Sequence, residues 1–550
     1  MENSTIFHCR CTACNEKPSS YTAAKIIIAA VFIVLLIVGL AASDGYGVPC
    51  DELPEIDIQF SNIREITDRF LGKDTALTYK LDELGIKPIS KSIERDHGEA
   101  VYYPFALFVL LDDPDPAQQH LAFMLYTFCI SFAGVVFLYF LIREIYGNRW
   151  LALGMSLILY VSPRFFAEAH YNNKDIVLLV LLIGCVLFAV LAAKRDKFIY
   201  VLAYSFVTGL TCNMKLIGLF FFAVTGLMYI AYVTAAKAWN RSRVIKAVCA
   251  VLLTVLVYFL VTPAMWDSPL QFFKYSFDNM FHFSRWISTL FYNGELYVPT
   301  KGGLPRSYLP KLIFLTVPPF VLLLALVGAA MGILALRKNG GSSGDFKRLF
   351  LGFGIFASIF PLLLSVAKGS VVVYNGWRHF YFSYLGILLL AAEGLDWLLC
   401  LKARPVWLAT AACIIFTAVG LAVNHPYQMC YYNIFAGNHA ETRYEMDYWN
   451  VATYSALNTM LESDSRDYFL TGYLELHSLG GVLDNAPLLS DKDAERFSYT
   501  RDYKQADYII VNLTYWHTSG CPEIPEGFVV KEVLSAYGND ITVIYGRADA

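Results

Sequence analysis

The residues that decide the fold run from Phe198 to Ala236: FIYVLAYSFVTGLTCNMKLIGLFFFAVTGLMYIAYVTAA. A helix crosses a bilayer in about 20 apolar residues, so this run is too long for one crossing. Asn213 and Lys215 interrupt it near its middle, and it reads as two helices with a break there. The choice between one helix and two sets the side on which every later loop falls. The short loops rich in Lys and Arg decide it. They hold Arg143 and Arg149; Lys194, Arg195 and Lys197; Lys237, Arg241, Arg243 and Lys246; Arg337, Lys338, Lys347 and Arg348; and Lys402 and Arg404. With the run divided, all of them fall on the side of the N-terminus, which the positive-inside rule makes cytoplasmic. Undivided, the later ones would fall outside.

The other apolar runs are Lys25–Ala42, Ala122–Leu141, Trp150–Val161, Ile176–Ala193, Ala247–Val261, Leu312–Leu336, Leu349–Val366, Phe380–Leu399 and Trp407–Val423. Together they predict an α-helical polytopic membrane protein with about eleven transmembrane helices. Composition agrees. Hydrophobic residues make up 57% of the 550 and charged residues 16%, against ~25% charged in a soluble domain. The first run is an uncleaved anchor rather than a signal peptide, because its apolar core exceeds the 7–15 or so residues of a signal h-region. A net charge of -3 and the lack of a basic stripe exclude nucleic acid as a partner. No internal repeat is visible, which weakens an inverted-repeat transporter.

Three parts follow: a cytoplasmic leader over 1–24, a transmembrane domain with large extracytoplasmic loops over 25–423, and an extracytoplasmic C-terminal domain over 424–550. The last has soluble composition, a helix expected over Asp447–Leu461 and strands expected over Tyr468–Tyr473, Tyr508–Thr514 and Ile541–Tyr545, so a small α/β domain is expected there. Asn339–Ser343, NGGSS, reads as a flexible linker. Cys50, Cys430 and Cys521 face outside, and any two of them could pair. His8, Cys9, Cys11 and Cys14 in the leader are spaced irregularly for a zinc site. Asn512-Leu513-Thr514 is formally a glycosylation sequon.

Chemistry-bearing residues gather on the loops away from the basic side. Asp51-Glu52 follows the first helix, and adjacent carboxylates repel, which favours a base near neutral pH. Ile56, Phe60, Ile63, Ile66 and Phe70 then recur at helical spacing, as in an amphipathic helix on the membrane surface. The next such loop, Ser162–Asp175, carries Arg164, Glu168, His170, Lys174 and Asp175; charges that dense at a membrane edge face a polar cavity. Asp175 also stands where it could cap the following helix. Lys215 reads either as snorkelling or as a phosphate ligand. Arg378 and His379 read either as interfacial anchors or as a phosphate site, since a guanidinium forks onto phosphate oxygens. No Walker loop, dinucleotide fingerprint, zinc-protease helix or kinase signature occurs.

Several stretches, in this topology, resemble the glycosyltransferase C superfamily: the Asp51-Glu52 pair, Arg95-Asp96-His97-Gly98-Glu99, Ser162-Pro163-Arg164-Phe165-Phe166 with Asn172-Asn173-Lys174-Asp175, Gly376-Trp377-Arg378-His379-Phe380-Tyr381, and Tyr431-Tyr432-Asn433 with Asp447-Tyr448-Trp449. Within it the chain resembles the bacterial relatives of protein O-mannosyltransferases and aminoarabinose transferases, over about residues 20–460. The resemblance implies a multi-pass protein of the bacterial plasma membrane, with its N-terminus cytoplasmic and its C-terminus outside. It implies inverting transfer of a sugar from a polyprenyl-phosphate donor, drawn from the membrane lipid, to a hydroxyl of a protein, lipid or glycan acceptor. Asp51 would be the base and Glu52 would assist, or the reverse. Arg378, with Lys174 or Lys215, would hold the leaving phosphate. His97, Arg164, His170, Asp175 and His379 would complete substrate binding. A divalent cation is left open, because members differ in needing one. The alternative is a transporter or flippase of lipid-linked sugars.

Overall fold

The computed structural model describes residues 18–548 apart from 73, 283–288, 302, 340–345, 370–372, 467–468, 473–475, 501 and 515–524. The leader cysteines, Cys521 and all but the first residue of the NGGSS linker lie outside the described residues.

Helix α1 (Pro18–Ala42) enters from the leader; α2 (Glu52–Phe70), α3 (Ala76–Glu83) and α4 (Tyr103–Asp112) build the first long loop. A bundle follows: α5 (Pro116–Tyr146), α6 (Arg149–Tyr160), α7 (Pro163–Tyr171), α8 (Asp175–Arg195), α9 (Phe198–Met214), α10 (Gly218–Ala235) and α11 (Arg241–Leu260). A second long loop holds α12 (Pro269–Phe281) and the hairpin β1 (Leu290–Tyr292) and β2 (Glu295–Tyr297). Then come α13 (Tyr308–Thr316), α14 (Pro319–Asn339), α15 (Phe346–Lys368) and α16 (Tyr384–Val423).

Among the described residues seven helices are long and apolar enough to cross a membrane, or nine if each bent pair, α6 with α7 and α13 with α14, is one span. Helix α9 is a shorter apolar helix, and α16 contains a kink at Lys402, whose φ of -149° and ψ of 84° are not helical. All ten apolar runs are therefore helical, but the candidate spans among the described residues number seven to nine rather than the expected eleven or so, because α9 is short and the last two runs join in the single kinked helix α16. Large apolar side chains stay exposed along these helices, among them Ile33, Leu252, Leu326 and Phe416. Lipid is the environment in which such flanks are stable. Helix α8 is the centre of the bundle, with 94% of its apolar window buried.

The long run divides at Lys215, which is extended (φ -151°, ψ 145°). Asn213 makes the break useful. Its Oδ1 accepts from Ala100 N at 3.0 Å, and its Nδ2 donates to Val261 O and Thr262 Oγ1 at 3.1 and 3.0 Å. Gly218 lets α10 turn back, for a Cβ there would lie 2.4 Å from Thr211 O.

The structure has two bends that the sequence reading did not include. The stretch expected as a loop over Ser162–Asp175 is largely helix α7, set at 68° to α6. Pro163 at its first position starts a new helix at no hydrogen-bond cost, and all nine of its residues are buried. The run Leu312–Leu336 breaks between α13 and α14 with a 115° bend. Pro318 and Pro319 follow Val317, which is extended.

The basic loops pack together at one end. Lys194 and Arg195 pair with Glu144, Lys246 with Asp196 at 2.7 Å, and Lys347 with Glu393 and Asp396, both at 2.9 Å. Tyr146 OH donates to Glu393 at 3.0 Å.

The C-terminal segment forms a five-stranded mixed sheet in the order β4 (Phe497–Thr500), β3 (Phe469–Gly472), β5 (Tyr508–Asn512), β7 (Asn539–Arg547), β6 (Phe528–Ala536). The β3 pairs are parallel and the β7 pairs antiparallel. Helices α17 (Ala452–Ser463) and α18 (Leu476–Asn485) cover one face through Leu457, Met460 and Val482 on Ile510 and Ile544. The helix expected from Asp447 starts at Ala452. The Asp447 carboxylate accepts from Val451 N and Ala452 N at 3.1 and 2.7 Å, so it closes a turn ahead of the helix. Asn512 and Thr514 of the sequon are buried, and the Asn512 amide donates to Asp447 O and Asn450 Oδ1. Cys50 and Cys430 are free thiols.

Candidate active site

At the end opposite the basic loops, short segments far apart in sequence bring their charges together. The start of α2 supplies Asp51 and Glu52, and they part company. Asp51 keeps about 40% of its side chain exposed and receives a hydrogen bond from Arg378 Nη1 at 2.8 Å. Glu52 is buried against His120, 2.9 Å from Nδ1. The other ring nitrogen of His120 lies 3.0 Å from Tyr46 O. A carbonyl only accepts, so Nε2 carries a proton there, and a further proton lies between Nδ1 and Glu52. Glu52 is thus already engaged with a proton donor, while Asp51 has an open face.

Arg378 opens the helical stretch that leads into α16. Its guanidinium lies over the rings of Trp449 (4.4 Å) and Tyr374 (5.0 Å), contacts that hold the fork in place. His379 packs its ring on Tyr374 at 4.4 Å. Asp175 stands at the first position of α8, but Asn172 does the capping: its Oδ1 accepts from Asp175 N at 2.8 Å. That frees the Asp175 carboxylate to pair with Lys215, and it also faces His379 and Arg378. Asp51, Asp175, Lys215, Arg378 and His379 therefore form one group.

Lys174 points elsewhere. Its ammonium lies between Glu55 (2.8 Å) and Glu99 (3.0 Å), all three buried. Gln59 Nε2 and Asn173 Nδ2 also donate to Glu99, at 3.1 and 3.3 Å. Burial pushes the Glu99 carboxyl up to about 8, with Lys174 pulling it down and Glu55 adding to the rise. Burial and the neighbouring Glu55 thus favour the protonated form of Glu99, and the Lys174 ammonium opposes them.

Arg164 is buried at the start of α7. Nη1 donates to Tyr448 OH at 3.4 Å, and the guanidinium lies 5.2 Å from the Tyr432 ring. Its Nε and Nη2 meet no acceptor among the described residues. A mainly apolar cavity of about 20 Å³ beside it is lined by Ser162, Thr316, Trp377 and Tyr381. Glu168 accepts from Tyr381 OH and from Asn172 Nδ2. His170 is not brought into the charged group: its two ring nitrogens face Phe166 O and Gly39 O at 2.8 and 3.0 Å, and it stacks on Phe128. It ties α7 to α1. His97 pairs with Glu94 at 3.1 Å at the rim. Among the described residues no three His, Cys, Asp or Glu side chains are grouped to hold a metal ion.

Glu55, Glu99 and His120 were missed as members of the cluster. A signal for the first existed: Glu52, Glu55, Gln59 and Asn62 follow each other at helical spacing, a polar stripe beside the apolar one, and all four are buried.

A family model described as dolichyl-phosphate-mannose-protein mannosyltransferase matches residues 97–266. The match agrees with the resemblance read from the sequence. It spans His97, Arg164, Lys174, Asp175 and Lys215, and leaves Asp51, Glu52 and Arg378 outside. No curated protein matches the chain. Among solved structures the chain is similar to ArnT from Cupriavidus metallidurans bound to undecaprenyl phosphate, with 14% identity and a TM-score of 0.46 over 95% of this chain and 98% of that one. It is also similar to the archaeal oligosaccharyltransferase AglB from Archaeoglobus fulgidus, in complex with an inhibitory peptide and a dolichol-phosphate, with 12% identity and a TM-score of 0.41 over 88% and 70% of the two chains. Both are distant likenesses.

Proposed function

We propose that this protein is an inverting glycosyltransferase that moves a sugar from a polyprenyl-phosphate donor to an acceptor hydroxyl, on the membrane face away from its basic loops. The observation that carries the reading is the meeting of one open carboxylate, Asp51, with Arg378 and the Asp175–Lys215 pair at a single end of the apolar bundle. The family match over residues 97–266 supports the donor class.

In this reading Asp51 takes the proton of the acceptor hydroxyl, and the oxygen attacks the anomeric carbon. The bond from that carbon to the phosphate oxygen breaks on the opposite face, and the electron pair leaves with the phosphate. Arg378 and Lys215 offset the charge that grows there. Asp175 orients Lys215. Glu52, held by His120, shapes the start of α2. Residues 25–423 carry the reaction, and 424–550 support it from outside the membrane.

The test is turnover in proteoliposomes with a panel of polyprenyl-phosphate sugars, dolichyl-phosphate mannose first. Release of the lipid phosphate supports the enzyme. Movement of intact donor across the bilayer, with no cleavage, would instead make the protein a transporter.

A further inference from the structure

The loop that carries Asp51 is held from the other end of the chain. Gly47 N donates to Val451 O at 3.2 Å and Cys50 N to Trp449 O at 2.9 Å. Between them Val48 N donates to Asn485 Oδ1 at 2.8 Å, and Asn485 Nδ2 donates to Val48 O at 3.4 Å and Gly481 O at 2.8 Å. Pro49 has no N–H, so every backbone donor from Gly47 to Cys50 is taken by C-terminal residues. The fit is close. A Cβ on Gly47 would lie 2.6 Å from both Asn485 Oδ1 and Val451 O.

The C-terminal contact is itself anchored in the sheet. Asn512, the last residue of β5, donates to Asp447 O (2.7 Å) and Asn450 Oδ1 (2.8 Å), and Thr514 Oγ1 accepts from Met446 N at 3.0 Å. Asn485, the last residue of α18, is fully buried. Trp449 then links the two sides of the key ion pair: its carbonyl holds Cys50, the neighbour of Asp51, and its ring lies under Arg378.

We infer that the C-terminal α/β unit is a clamp on the first loop, with Asn485 a positioning residue that sets where the Asp51 carboxylate stands against Arg378. The inference rests on Asp51 being the base. A reacting group displaced by about 1 Å costs about 100-fold in rate, so one buried amide can control turnover without touching substrate.

Cys50 reports on the loop directly: its half-buried thiol donates to Tyr448 O and to Asp51 Oδ1, both at 3.7 Å, and burial first and the Asp51 charge next push it well above the usual range. Asn485→Ala removes the amide, and Gly47→Ala disturbs the same contact from the loop side. Each variant is compared with wild type in the full-length protein, with its size-exclusion profile and Tm as controls for folding. Loss of the buried contact is expected to speed alkylation of Cys50 by N-ethylmaleimide about tenfold. Turnover should fall about 100-fold with the donor KM unchanged, and Asn485→Ala should cause no further loss on an Asp51→Asn background. Unchanged Cys50 alkylation in both folded variants overturns the clamp. So does a loosened loop that turns over at the wild-type rate, or a loss that multiplies with that of Asp51→Asn. Wild-type turnover by Asp51→Asn alone would overturn the proposed base and with it the catalytic half of the inference, while the alkylation result still decides the clamp.

Discussion

The two ends of the helical bundle use charge in opposite ways. At the basic end Lys194 and Arg195, with 34% and 49% of their side chains exposed, reach Glu144, and the more enclosed Lys246 reaches Asp196, from neighbouring short loops. At the other end Arg378 meets Asp51 across 327 residues, and Lys174 is enclosed between Glu55 and Glu99. Exposed pairs between neighbouring loops contribute little energy and mark the side of the membrane. Buried charges drawn from distant segments are costly to assemble, and a membrane protein keeps them where they perform a task.

The comparison breaks most visibly at Lys174. Lys174→Met leaves two buried carboxyl groups without their cation and should cost about 3–5 kcal/mol in unfolding experiments in detergent. Equal stability to wild type would mean that the enclosure is not as tight as its geometry. Arg378→Met comes next: turnover should drop about 100- to 1,000-fold, as for loss of one charge-stabilising donor, while Tm moves little. Glu99→Gln sharpens the contrast through pH. Glu99 binds its proton more tightly folded than unfolded, so its contribution to stability is complete below the ordinary carboxylate range and is lost as pH rises through about 8. The glutamine variant should therefore be the flatter of the two in Tm between about pH 4 and pH 9, a range that brackets both values. Smallest of all, Arg195→Met at the basic end should change stability by less than about 1 kcal/mol.

Much of this was legible in the chain. The apolar runs announce helical segments because a bilayer demands length and hydropathy and little else, although the last two join in the single kinked helix α16. Lys215 marked the break in the longest run because an ionised group interrupts an apolar pattern visibly. The bends were less visible: Ser162-Pro163 and Pro318-Pro319 are written in the sequence, but the angles of 68° and 115° depend on what α7 and α13 pack against. In the site, Asp51, Asp175, Lys215, Arg378 and His379 were chosen for their types and their side of the membrane, and the fold brings them together. His170 was chosen on the same grounds and serves packing instead. The pairing of Glu52 with His120 could not be read, since 68 residues separate them and only the fold joins α2 to α5. The clamp from Asn485 onto Val48 spans 437 residues and leaves no local pattern at all.

In the proposed reaction Asp51, and not its neighbour Glu52, takes the acceptor proton. That assignment is tested by release of lipid phosphate from the same donor panel by wild type, Asp51→Asn and Glu52→Gln, side by side in proteoliposomes. Asp51→Asn should lose about 100-fold or more, and Glu52→Gln should retain turnover within about tenfold of wild type wherever it folds. Full activity in Asp51→Asn, or a loss confined to Glu52→Gln, would contradict that assignment.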